Sequence, residues 1–213
     1  MRGPTDPAAP FSVSCQALRP EDLTAFTTFV ETEAFSDNPS WADCYCVFAY
    51  RQTNTQPDAD GDFDPRAAEQ NRATLFRLVK EGRGHWILAR HEGRLVGWVN
   101  ADLLSRMPRY EDWGPLLAGE TGVISCFVVH PRLRRRGIAR HLLNAAVAAL
   151  RTMGASQVES WVVRDPKAAA KPPLGPDQVA YRGPLAMYLR AGFSVVAEKD
   201  GVVRVRRTLP PPA

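Results

Sequence analysis

The chain reads as an α/β (α+β) fold: a mixed central sheet of about seven strands with helices on both faces. Three observations carry this. An apolar run at about 121–129 enters a basic turn, then a helix, then a further β-rich run at 157–163. Strand, helix and strand form a βαβ crossover, so these two strands are predicted to be parallel. Two other pairs of β-rich runs flank Glu92-Gly93 and Asp200-Gly201, the turn residues of antiparallel hairpins.

In order, residues 1–10 are rich in proline and alanine and are expected to be a disordered tail. Phe11, Val13, Cys15 and Ala17 alternate as a first strand. A helix follows Pro20, with Leu23, Phe26 and Val30 on one face, to about Thr32. Trp41, Tyr45 and Phe48 fall at helical spacing, one face of a short helix. Residues 51–63 form a polar loop. Its alternating aspartates lack the glutamate that a calcium loop needs. Asp64-Pro65 caps a helix running to about residue 80, ended by Gly82. The hairpin of about 85–90 and 95–101 comes next, then a long loop from Leu103 to Gly119 whose aromatics suit a substrate rim. After the crossover, a Pro- and Lys-bearing stretch from Arg164 to Gly183 has the composition of a lid. Pro184 opens a late helix that Gly192 ends, and the strands 194–198 and 202–207 close the sheet. One domain is expected over 11–208, with a second disordered tail at 209–213.

The stretch from Val128 to Leu143 organises the rest. The first N–H groups of a helix have no partner within it, and the helix dipole adds positive charge there. Gly137 leaves the backbone open to a bulky anion, Ala139 is small, and Arg134, Arg135 and Arg136 add attraction. This chemistry suits a phosphate or pyrophosphate. The turn has neither the Gly-Lys-Ser/Thr of a P-loop nor the Gly-x-Gly-x-x-Gly of a dinucleotide fold.

Arg134-x-x-Gly137-x-Ala139, directly after Val129-His130-Pro131, resembles the acyl-CoA signature of the GNAT superfamily of N-acetyltransferases. About fifty residues on, Ala186-Met187-Tyr188-Leu189-Arg190-Ala191-Gly192-Phe193 resembles the family's late helix, with Tyr188 four residues before the glycine. The motifs cover residues 120–195. The resemblance implies a sheet splayed between the parallel fourth and fifth strands. It implies acetyl-CoA as cofactor, its pyrophosphate on Arg134, Arg135, Arg136, Gly137, Ile138 and Ala139, and its arm along Phe127, Val128 and Val129. A backbone N–H near Phe127 or Val128 would polarise the thioester carbonyl. Tyr188 would protonate the leaving thiolate. Glu120 is the best-placed general base, with Glu159 behind it, and bulk water is the alternative. His130 is usually structural in the family. Trp41, Tyr45 and Cys46 are candidate acceptor contacts, aromatic rings giving apolar surface with polar tips.

The implied activity is transfer of an acetyl group from acetyl-CoA to a primary amine, directly, in a ternary complex. The implied partner is a small-molecule amine acceptor. A protein or peptide N-acetyltransferase and an inactive acyl-CoA-binding regulator are the alternatives, and the family leaves a homodimer open. The formal charge of +4 attracts a polyanion without the dense basic footprint of a nucleic-acid binder. No apolar run reaches the roughly eighteen residues of a membrane span, and the first residues carry no signal peptide, so a cytoplasmic protein is expected. Cys44-x-Cys46 lacks a second ligand pair, so no metal site is expected and the four cysteines are read as thiols.

Overall fold

The computed structural model describes residues 12–50, 65–110, 120–171 and 175–210. The polar loop 51–63, the Asp64 cap, the 111–119 part of the rim loop, Pro172-Pro173 and the expected tails 1–10 and 211–213 lie outside the described residues. Seven strands form one sheet, in the order β1-β2-β3-β4-β5-β7-β6. They are β1 Ser14–Ala17, β2 Trp86–His91, β3 Arg94–Leu103, β4 Thr121–Val129, β5 Gln157–Val163, β6 Ser194–Lys199 and β7 Val202–Thr208. The helices are α1 Leu23–Phe29, α2 Pro65–Lys80, α3 Ile138–Thr152, α4 Pro166–Ala169, α5 Pro176–Val179 and α6 Leu185–Arg190.

Every neighbouring strand pair is antiparallel except β4 and β5. That pair is short. Only Thr121, Gly122 and Val123 of β4 register against Gln157, Val158 and Glu159 of β5. Beyond them the strands part, and the second half of β4 offers its backbone to something else. A bulge accompanies the parting: β3 pairs Asn100 with Cys126 and Ala101 with Ile124, so Ser125 is the extra residue.

Alternation of side chains across the sheet gives each face a main core, and a smaller cluster of Ala49, Met107, Tyr110 and Val123 lies apart among the described residues. On one face, Ile124, Phe127, Val158, Val162, Val203 and Val205 pack under α3 and α6, with Leu142, Leu143 and Leu150 from α3. On the other, Trp86, Leu88, Trp98 and Val128 pack under α1 and α2, with Phe26, Phe29, Leu75 and Leu78. Ile138, Leu142, Leu143, Ala146, Val147 and Leu150 form the buried apolar face of α3. Leu209, expected in the tail, is buried, and its N–H donates to the Ser156 carbonyl.

The first helix changes character before Thr32. Five residues, Val30–Ala34, widen into a π-helical turn. The short helix expected through Trp41, Tyr45 and Phe48 is not one helix. A 3-10 turn spans Pro39–Cys44, and Tyr45 and Cys46 then take left-handed backbone at φ 45° and 54°. That break separates the three aromatics. Tyr45 turns into the core, where its hydroxyl donates to Glu31 at 2.6 Å and its carbonyl accepts from Trp86 Nε1 at 3.1 Å.

Candidate acyl-transfer cleft

One cleft of about 1770 Å³ runs from the basic turn, along β4, to the aromatic segment. At one end lie Arg134, Arg135, Gly137, Ile138, Ala139 and Arg140, with Asn144 one turn deeper. In the middle lie Ser125, Cys126, Phe127, Val128 and Val129. At the other end lie Trp41, Cys44, Cys46, Val47, Phe48, Asn71, Tyr110 and Tyr181.

The basic turn is built by consecutive residues. Pro131 starts a 3-10 turn whose Arg132 N–H is accepted by His130 Nδ1 at 3.2 Å. His130 also stacks on Phe29, so its role in the structure is to cap the turn. Arg135 at φ 66° and Gly137 at φ 85° both take left-handed backbone, which swings the first turn of α3 toward the cleft. Glycine is needed at 137 for that conformation. A Cβ there would meet nothing within 4 Å, so the space above the helix start is open. The turn fits a phosphorylated carrier: a helix start, the open space above Gly137 and several arginines converge. Arg136 does not line the cleft.

Two acidic residues reach the same turn. Asp37 pairs with Arg134 at 2.5 Å, and Asp177 lies 3.8 Å from Arg135. Sequence reasoning missed both, because neither is near the turn in the chain.

The middle section holds the residues expected to take part in the chemistry. The Phe127 N–H points away from β3 into the splay, where it donates to the Tyr181 carbonyl at 2.6 Å. Behind it, Tyr188 is fully buried, edge-on to Phe127 and Phe193. Its hydroxyl donates to the Arg182 carbonyl at 2.8 Å and lies 3.1 Å from Ser160 Oγ. Burial raises its pKa, so the phenol stays protonated. Tyr188 thus stands behind the cleft wall rather than in it.

Glu120 precedes β4 and accepts from the Ser105 hydroxyl and N–H, at the opposite end of the strand from the turn. It does not line the cleft. Glu159 is buried and held by Arg204 at 2.7 Å and Arg206 at 2.5 Å, which keeps its carboxylate committed. Among the described residues the cleft's own carboxylates are Asp37 and Asp177, both at the turn.

The aromatic end is assembled from distant pieces. Trp41 lies edge-on to Tyr181, and Arg109 sits over the Phe48 ring. Burial pushes the Tyr110 phenol up to about 12. Cys46 accepts from Trp98 Nε1 at 3.3 Å, and its contact with Cys126, then burial, raise its pKa. Of the three expected acceptor contacts, Trp41 and Cys46 reach the cleft and Tyr45 does not. Phe48, from the same aromatic segment, and Tyr110, from the expected rim loop, also reach it, while Tyr181 and Asn71 reach it unforeseen. Asn71 is nearly buried, donates from Nδ2 to the Asp43 carbonyl at 2.7 Å, and has no partner for Oδ1 among the described residues.

A buried polar chain anchors this end to the sheet. The Tyr50 hydroxyl accepts from the His85 N–H and Asn100 Nδ2, and donates to Asp102. Asn100 Oδ1 in turn accepts from Ser125 on the bulge. Burial lowers the His85 pKa and raises that of Asp102.

Among the described residues, no helix is long and apolar enough to cross a membrane. No curated protein matches the sequence. Solved structures match its fold. PaiA N-acetyltransferase from Thermoplasma acidophilum, in complex with coenzyme A, superimposes with TM-score 0.51 at 12% identity, over 93% of this chain and 99% of that one. A GNAT-family acetyltransferase from Streptococcus pneumoniae gives 0.52 at 16%, over 93% and 100%. An acetyltransferase from Thermus thermophilus gives 0.51 at 16%, over 94% and 99%. The model of the acetyltransferase (GNAT) family matches residues 49–172, more than half of the sequence, and takes in the splayed strands, the turn and α3. The chain belongs to the acetyltransferase (GNAT) family.

Proposed function

We propose that the chain moves the acetyl group of acetyl-CoA to a primary amine of a small molecule with apolar surface, directly, in a ternary complex. One observation carries this reading. The anion-binding turn and the aromatic pocket are two ends of a single cleft, joined by the part of β4 that β5 leaves free. Both substrates fit one continuous space, so no relay between separate sites is needed.

Acetyl-CoA supplies the activated thioester. The first-turn N–H groups of α3 and the guanidinium of Arg134 hold its pyrophosphate, with Arg135, Ile138 and Ala139 around it. Val128 and Val129 flank the arm. The Phe127 N–H, aimed into the splay, donates to the carbonyl oxygen as charge builds there. A donor of this kind is worth about 2.7–4 kcal/mol in enzymes that use one. The Tyr188 hydroxyl, kept protonated by burial, hydrogen-bonds the departing thiolate and relays a proton to it, and the proton that the amine releases to water restores the phenol. Trp41 and Phe48 hold the acceptor's apolar body. With the cleft's carboxylates engaged at the turn, the amine releases its proton to water, and Glu120 takes no direct part.

Calorimetry with acetyl-CoA tests the donor half: a dissociation constant near micromolar, about −8 kcal/mol, is expected. A panel of amines followed by thiol release tests the rest. Turnover separates an enzyme from an acyl-CoA-binding regulator. Without a side-chain base, the pH profile of kcat/KM shifts with the pKa of each amine. A profile common to amines of different pKa would restore a protein base.

A further inference from the structure

The segment Gly175–Gly183 follows the cleft from the turn to the splay. At the turn, Asp177 faces Arg135 at 3.8 Å, and Gln178 Nε2 donates at 3.0 Å to Asp37 Oδ2, the oxygen that Arg134 also holds. In the splay, the Tyr181 carbonyl takes the Phe127 N–H and the Arg182 carbonyl takes the Tyr188 hydroxyl. Gly183, at φ 86°, fits so closely that a Cβ would come within 2.7 Å of Met187 Cε and 3.4 Å of the Tyr188 ring.

This is the contact pattern of an acyl carrier: negative charge on the basic turn, a carbonyl oxygen on the free N–H of β4. Carboxylates and a backbone carbonyl of the chain itself supply it. The Phe127 N–H and the Tyr188 O–H have one hydrogen each, so neither serves the strap and a thioester at once. Gly175 to Arg182 includes no buried residue, and beyond the edge contact of Tyr181 with Trp41 the segment is held mainly by these polar contacts, so it opens at low cost.

We infer that Gly175–Gly183 is an autoinhibitory strap that takes the place of the acyl donor in the free protein and withdraws when acetyl-CoA binds. The inference rests on the turn and β4 being the donor site. The strap lowers apparent donor affinity by the fraction of molecules in which it is open. It also keeps the carbonyl-binding N–H and the acid masked until a donor arrives.

Hydrogen–deuterium exchange of the full chain, with and without saturating acetyl-CoA, tests this. In the free protein the N–H groups of Val179, Ala180, Tyr181 and Gly183 are hydrogen-bonded within the strap. The expected result is faster exchange in 175–183 on binding, together with slower exchange in 134–140. Unchanged or slower exchange in 175–183, with 134–140 protected, overturns the strap and leaves the donor site standing. No protection of 134–140 at millimolar acetyl-CoA overturns the donor site, and the strap with it. A second measurement is independent of activity. Gln178→Ala, which removes the link to Asp37, is expected to bind acetyl-CoA about fivefold more tightly by calorimetry. Equal or weaker binding counts against the strap.

Discussion

The two ends of the cleft are made in different ways. The proposed donor end comes from one stretch, residues 127–139, and is built mainly from backbone: the Phe127 N–H aimed into the splay, left-handed residues at 135 and 137, and the first turn of α3. The proposed acceptor end draws on 41–49, 71, 110 and 181, and is built from side chains. Backbone groups are placed by the chain's own geometry. Side chains from distant segments are placed only when the whole fold closes. The donor end should therefore fail through changes in backbone conformation, and the acceptor end through loss of single rings.

The largest effect is expected at the donor end. Gly137→Val forces a β-branched residue into φ 85°, a conformation costing roughly 1–3 kcal/mol, and puts its side chain over the anion site. Acetyl-CoA affinity should fall by about a hundredfold or more while circular dichroism stays native. Retained affinity would mean that the arginines alone hold the donor, and the contrast between backbone and side-chain ends would collapse.

Tyr188→Phe comes next. It removes the acid, and kcat should drop about a hundredfold with acetyl-CoA binding no weaker. A rate within about twofold of wild type would make the buried hydroxyl structural, tied only to Ser160 and Arg182. Trp41→Ala is the matching change at the acceptor end. Losing an exposed-edge ring should raise the acceptor KM by about tenfold and leave the acetyl-CoA dissociation constant unchanged. An equal loss on both substrates would show the two ends to be one coupled unit.

The smallest effect concerns pH. Burial holds the folded-state pKa of His85 below 6.5, so folding favours its neutral form. Above that pH both states are neutral and stability is full. As pH falls below it, the unfolded chain takes up the proton first, and stability declines. Asp102, raised by burial, acts in the opposite sense: its contribution is present at low pH and lost as pH rises through its folded value. His85→Gln should flatten the fall in urea-unfolding stability between pH 7 and 5. The same slope in both proteins would remove His85 from the anchor of the acceptor end.

The order of elements, the hairpins and the parallel β4–β5 pair were legible because periodicity and turn residues are local signals. So was the turn, since an Arg-x-x-Gly-x-Ala run after an apolar strand places its groups by itself. Helical spacing misled at Trp41, Tyr45 and Phe48. Tyr45 and Cys46 go left-handed, where Tyr45 bonds Glu31 and Trp86, and those partners become neighbours only on folding. Glu120 was expected as a base from the family's glutamate on or before the fourth strand; β4 carries it to the end away from the turn, beside Ser105. Asp37 and Gln178, 141 positions apart, meet across the mouth of the cleft, and no local pattern announces such a pair.

The sequence by itself determined the sheet, the crossover and the anion-binding turn, because each depends on residues within a few positions of one another and on backbone geometry that glycine and proline set. Only the tertiary structure decided which aromatics face the cleft, that Tyr188 lies behind its wall, and that the chain's own 175–183 segment takes the Phe127 N–H and the Tyr188 hydroxyl. Those outcomes depend on which distant side chains and carbonyls compete for the same hydrogen-bond donors, and that competition exists only once the sheet has formed.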